Sequence, residues 1–275
     1  MSRYLVGRRD GASDARNTTG GVAVGTLTVV ELTVPRRYCG PPESGNGGWV
    51  SGSLAAHVRT SGPLPAVSVR LSAPPPLERP MPVVGDDPDP LTGTSVLRLL
   101  DGDVLVATGT AVAELDEPVP APASWDEAHA AEERYEGAED HPFPTCFSCG
   151  TGRADGDGLR LRPGPLADGS GRYATTWTVP DDVSRPVVWA ALDCPGGWSA
   201  GIAGRPMVLG TMTAQVWRVP EPGERLVVTA WQRGAEGRRH WSASTLHDAD
   251  GAMVGRAEAT WVAVDPESVR PREQP

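Results

Sequence analysis

The sequence predicts an α+β chain built by duplication: two antiparallel sheets, each wrapped around a central helix, packed as a pseudo-dimer within one chain. Three observations carry this reading. Each half reads as a strand, a buried helix and then a run of antiparallel strands. Each half closes on a similar hairpin, Leu99-Leu-Asp-Gly-Asp-Val-Leu-Val-Ala-Thr-Gly109 against Leu246-His-Asp-Ala-Asp-Gly-Ala-Met-Val-Gly-Arg256. Between them the composition shifts to Pro, Ala and Glu. An internal repeat of this kind changes the expected fold more than any single element does.

In chain order, residues 1–21 are rich in Gly, Asp and Arg and are expected to be a loose N-terminus. Residues 22–117 form the first repeat. Its opening strand runs from Val22 to Val34, and a Pro- and Gly-rich loop, Cys39 to Gly48, leads into a helix over Trp49–Val58. Strands follow at Ala66–Leu71 and Arg79–Val84, then an acidic Pro loop from Asp86 to Pro90. A hairpin, Ser95–Leu100 with Val104–Leu115, turns at Asp101-Gly102. Residues 118–144 read as a linker. It carries one short helix, Trp125–Tyr135, opened by Ser124 with Glu127 at capping-box spacing.

The second repeat occupies residues 145–265, with 266–275 as a tail. Arg172–Val179 is a strand and Val187–Trp198 a helix, followed by strands at Val208–Val219 and Leu226–Gln232 and a hairpin turning at Asp248–Gly251. Pro186 suits the first helical position. Pro195-Gly196-Gly197 are expected to break its regular pattern. On this apolar helix stands one carboxylate, Asp193, with Cys194 beside it. A buried charge is far more costly than a buried amide, so an Asp kept there either has a task or faces out.

The 275 residues suffice for two domains of about 130. All 25 basic residues are Arg, and a net charge of −10 gives no basic stripe to neutralise phosphates, so nucleic acid is not an expected partner. No run approaches the ~18 apolar residues of a membrane helix, and Arg8-Arg9 lacks the apolar stretch of a secretion signal. A cytoplasmic protein with reduced Cys39, Cys146, Cys149 and Cys194 is expected.

Three motifs are similar to those of a known family. Cys146-Phe-Ser-Cys-Gly150 followed by Gly158-Leu-Arg-Leu161 resembles the opening of small phenylacetate-pathway-type acyl-CoA thioesterases. Trp189-Ala-Ala-Leu-Asp193 resembles the helix that bears their catalytic carboxylate, and that of acyl-CoA thioesterase II. Gly45-Asn-Gly-Gly48 resembles the Gly-Gly loop at the head of that helix. With the repeat, the chain resembles a double-hotdog thioesterase-like protein. Each half lacks something: Ala55 stands where the first helix would carry the carboxylate, and Val183-Ser-Arg-Pro186 replaces the Gly-Gly loop in the second.

The resemblance therefore implies one composite site, with Asp193 as general base or nucleophile. Asn46, Gly47, Gly48 and Trp49 would serve the oxyanion and the substrate. Thr211, aligned from Trp217, would be the Thr that the thioesterase pairs with its Asp, whereas the Gln of that set falls near Ala259, next to Glu258. The implied reaction is hydrolysis of an acyl-CoA or acyl-carrier-protein thioester without cofactor or metal, by a monomeric pseudo-dimer or a homodimer. A non-hydrolytic acyl-thioester binder or accessory protein is the alternative, with a hotdog dehydratase or hydratase behind it. Cys146 and Cys149 read as a packed turn rather than as half of a zinc site completed by His141 and Cys194. Cys194 as nucleophile lacks an obvious His, and His57 lies too far along its helix to serve. Trp49 and Trp198 could line an acyl tunnel.

Overall fold

The two halves of the chain share one strand order. The computed structural model describes residues 27–86 and 93–269. In the first half β1 (Leu27–Thr33) is followed by α1 (Gly47–Ala55), then β2 (Ala66–Leu71), β3 (Pro80–Gly85), β4 (Leu97–Asp101) and β5 (Val104–Val112). In the second half β7 (Tyr173–Thr178) precedes α3 (Arg185–Ser199), β8 (Met207–Val216), β9 (Arg225–Glu236), β10 (Arg239–His247) and β11 (Met253–Ala263). Each half lays its strands out as first, third, fourth, fifth, second, with every strand pair antiparallel.

The two expected sheets are in fact one. β2 pairs with β8, Val67 facing Ala214 and Arg70 facing Thr211, so the halves fuse into an 11-stranded sheet. The inner edge of each half is thereby satisfied by the other rather than left as a row of unpaired amides. A two-residue strand, β6 (Gly164–Pro165), extends the far edge beyond β7.

The expected hairpins are β4–β5 and β10–β11, turning through Gly102 (φ 59°) and Gly251 (φ 78°). The residues expected as a loose N-terminus, the start of the first strand at Val22, most of the acidic Pro loop and the end of the tail lie outside the described residues.

The two helices pack against each other and on the sheet. α1 begins two residues earlier than expected because Asn46 caps it: its Oδ1 accepts from Trp49 N at 2.8 Å. α3 does not break at Pro195. It continues through Gly196 and Gly197 to Ser199, because those glycines bring the helix onto β10 and β11. A Cβ at Gly196 would stand 2.7 Å from Ser242 Oγ, and one at Gly197 would meet the Trp261 ring at 3.0 Å. Thirteen of its fifteen residues are buried, and packing of that extent outweighs the hydrogen bond that Pro195 cannot donate.

α2 (Trp125–Glu132) has the expected capping box, Ser124 N donating to Glu127 Oε2 at 2.8 Å. The segment before it is tied down on the sheet. Arg256 donates to the carbonyls of Leu115 and Glu117, and Ala123 N donates to Thr229 Oγ1.

Candidate functional site

Asp193 sits where α1 and α3 touch. Gly48 and Gly52 face α3 because no larger residue fits: a Cβ at Gly48 would stand 2.5 Å from Asp193 Cβ, and one at Gly52 would stand 2.7 Å from Trp189 Cβ. This closeness brings the carboxylate to the N-terminus of α1. Asp193 Oδ2 accepts from Gly48 N at 2.8 Å and from Asn46 Nδ2 at 3.3 Å, while Oδ1 is buried without a hydrogen-bond partner. A helix N-terminus favours an anion through its free amides and its dipole.

Burial opposes that pull and wins. Desolvation pushes the Asp193 carboxyl up to about 8, against the lowering by Gly48 N–H and Asn46. With its side chain closed over, the free acid is the favoured form near neutrality.

The neighbours of this carboxylate are sulfurs. Asn46 Nδ2 also lies 3.6 Å from Cys146 Sγ and 3.9 Å from Cys194 Sγ, and those two sulfurs are 3.6 Å apart. The Sγ atoms of Cys146, Cys149 and Cys194 all lie within 4.8 Å of one another, and all three residues are buried. Hydrogen bonds from the Cys149 and then the Cys194 thiol hold Cys146 well below the usual thiol range. The C-x-x-C is held by its own turn: Gly150 N donates to Cys146 O at 2.8 Å, and Tyr135 Oη to Cys149 O at 2.9 Å. Ser148 Oγ fastens the turn to α3 through Ala190 O at 2.7 Å.

The expected site residues divide. Asn46, Gly48 and Asp193 are together. Gly47 stands at the head of α1, where a Cβ would meet Leu209 at 2.8 Å. Trp49 is half-buried and stacks on Tyr38 with ring centroids 4.2 Å apart. Trp198 is buried against Tyr135 and His141, at 4.7 and 5.2 Å.

Thr211 is not beside Asp193. Trp261 packs over Gly197 of α3 and pairs with Leu209, so those two share the helix-facing side. Thr260 and its partner Thr211 point to the opposite face. There Thr211 lines a surface cavity of about 370 Å³ with Thr213, Arg233, Trp241, Glu258 and Thr260. The physical reason is parity: Thr211 is six residues before Trp217, which is 47% exposed, so both belong to the outer face. On the inner side the paired residues are Met212 and Ala259, both apolar.

His141 is placed to hold the turn rather than to join the sulfurs. Its Nδ1 accepts from Phe143 N and its Nε2 lies 3.1 Å from Cys149 O. The sulfur triad is what sequence reasoning underweighted; Cys194, on the buried face beside Asp193, was its signal.

No protein-family model matches the sequence, and no curated protein matches it. Among solved structures, the chain is similar to a protein of unknown function with a hot dog fold from Alicyclobacillus acidocaldarius. The TM-score is 0.57 at 14% identity, covering 86% of this chain and 93% of that one. It is also similar to the acyl-CoA thioesterase II TesB2 from Mycobacterium marinum, at TM-score 0.56 and 12% identity over 89% and 98%. A third likeness is to the dehydratase domain of a mycocerosic acid synthase-like polyketide synthase, at TM-score 0.53 and 11% identity over 86% and 91%. These likenesses establish the hot dog fold of the chain. Among the described residues, no helix is long and apolar enough to cross a membrane.

Proposed function

We propose that this chain acts on an acyl thioester, acyl-CoA or acyl-carrier protein, at a single composite site between its two halves, and that it hydrolyses it. The observation that supports this is the 2.8 Å contact between Asp193 Oδ2 and Gly48 N, which puts a carboxylate from one half on the amide end of a helix from the other. The same amide is suited to an oxyanion.

In the proposed reaction the substrate carbonyl takes the Gly48 N–H, with Gly47 at the same helix end, and the carboxylate swings off it. Asp193 acts in its ionised form, a minority near neutrality that grows as pH rises towards 8, and removes a proton from water as the oxygen attacks the carbonyl carbon. The tetrahedral oxyanion rests on the helix amides. Collapse breaks the C–S bond, and Asp193 returns its proton to the leaving thiolate. Asn46, donating to the carboxylate and capping α1, acts as a positioning residue. Thr211, on the outer face, has no part in this scheme. Four free thiols accord with a cytoplasmic location, and the fused sheet with a monomeric pseudo-dimer.

A second reading, a non-hydrolytic thioester binder, is favoured by two features: the Gly48 amide is already taken by Asp193, and the paired Met212 and Ala259 offer no polar group to hold water. The deciding experiment follows free-thiol release from a panel of acyl-CoAs. Catalytic turnover with any chain length supports hydrolysis. Saturable binding without thiol release favours the second reading.

A further inference from the structure

The composite site leaves three buried thiols unused. We propose that Cys146, Cys149 and Cys194 bind one zinc ion, which clamps the turn ahead of the second half to helix α3.

The geometry of the sulfurs carries this. A tetrahedral zinc with Zn–S bonds of about 2.3 Å holds its sulfurs about 3.8 Å apart. Cys146 and Cys194 Sγ stand at 3.6 Å, and all three sulfurs fit within 4.8 Å. A disulfide between any two requires an S–S separation of about 2.05 Å, and all four cysteines of the chain carry free thiols. Two of the ligands come from a tight Cys-x-x-Cys-Gly turn. The turn is set before any metal arrives, by Gly150 N on Cys146 O and by Ser148 Oγ on Ala190 O. At Gly150 a Cβ would stand 2.5 Å from both Cys146 O and Pro144 O, so this tightness requires glycine. The third ligand comes from α3, 48 residues beyond Cys146 in the chain.

A side-chain amide faces the sulfurs. Asn46 Nδ2 points at the sulfurs of Cys146 and Cys194. Donors of this kind around a metal hold its ligands in place. His141 is excluded as the fourth ligand because both its ring nitrogens are engaged. With three sulfurs from the chain, the fourth position of the tetrahedron is left to a water oxygen. Binding replaces the three thiol protons, which pass to solvent, and forms three Zn–S bonds without any change of oxidation state.

The inference rests on the thiol geometry and holds whether or not the chain hydrolyses thioesters. To test it, the full chain is purified from zinc-supplemented medium under reducing conditions and its metal content measured. About one zinc per chain is expected. Stripping the zinc with a chelator should lower Tm by about 5 °C or more, reversibly on adding zinc back. Cobalt titrated into the stripped protein should give tetrahedral d–d bands with sulfur-to-cobalt charge transfer.

Cys149→Ser should abolish these bands, and Cys39→Ser, outside the triad, should keep them. If Cys149→Ser fails to fold, the cobalt spectrum of the unaltered chain decides alone. Absence of both zinc and a cobalt–thiolate spectrum from folded protein would overturn the site, as would a Cys146–Cys194 disulfide in protein purified without air.

Discussion

The two long helices occupy equivalent places in the two halves and differ in almost everything else. α1 has nine residues, three of them glycine, and no charged side chain. α3 has fifteen, is buried nearly throughout, and carries both Asp193 and Cys194. α1 offers amides and an Asn cap; α3 offers a carboxylate and a sulfur. The contact works because the small residues are on one side and the functional groups on the other. The juxtaposition pairs one amide end with one carboxylate.

The sharpest way to break that complementarity is to remove the carboxylate. Asp193→Asn keeps the shape and leaves Gly48 N an oxygen acceptor, but removes the base. Thiol release should fall by about 100-fold or more while acyl-CoA binding measured by calorimetry persists. Unchanged turnover in this variant would end the proposed mechanism.

The next effect is steric. Gly48→Ala puts a Cβ into Asp193 and within 2.8 Å of the Trp189 carbonyl, so backbone must move. A loss of about 1–3 kcal/mol in denaturant unfolding is expected, together with lost turnover. Gly62→Ala, where nothing stands within 4 Å of the added methyl, supplies the control.

Asn46→Ala should cost about 1 kcal/mol of stability through the lost cap on Trp49 N. Turnover should drop less than in Asp193→Asn, because the base and the amides of Gly47 and Gly48 remain. Steady-state kinetics of the two variants side by side checks the order. The smallest effect belongs to the linker: Ser124→Ala removes one cap of α2, about 0.5–1 kcal/mol by thermal unfolding, with kcat unchanged.

Much of this was legible in the residues. The repeated order of strand, helix and strands gave the elements of each half, because hydrophobic period is a local property. Asp193 stood out since a carboxylate among Val187, Val188, Ala191 and Leu192 is costly wherever it is buried. Glu127 three residues after Ser124 announced its own cap.

What escaped were relations between distant segments. Nothing local in Val67 or Ala214 says that their strands will pair across the halves. Pro195-Gly196-Gly197 reads as a break in the helix pattern, and only the Trp261 ring and Ser242 from another part of the chain explain why the helix runs on unbroken. Thr211 was assigned by alignment, whereas strand parity with the exposed Trp217 sends it outward. The meeting of Cys194 with a turn 48 residues earlier depends on tertiary packing alone.

The seam between β2 and β8 has a bearing on inheritance. A separate homodimer carries every substitution twice, so losing a carboxylate from its helix empties both of its sites at once. Here the seam joins two halves that are encoded independently, and a change in one leaves the other as it was. Ala55 in α1 and the missing glycine loop ahead of α3 are changes that such a chain could accumulate singly while still holding one intact pairing of amide and acid.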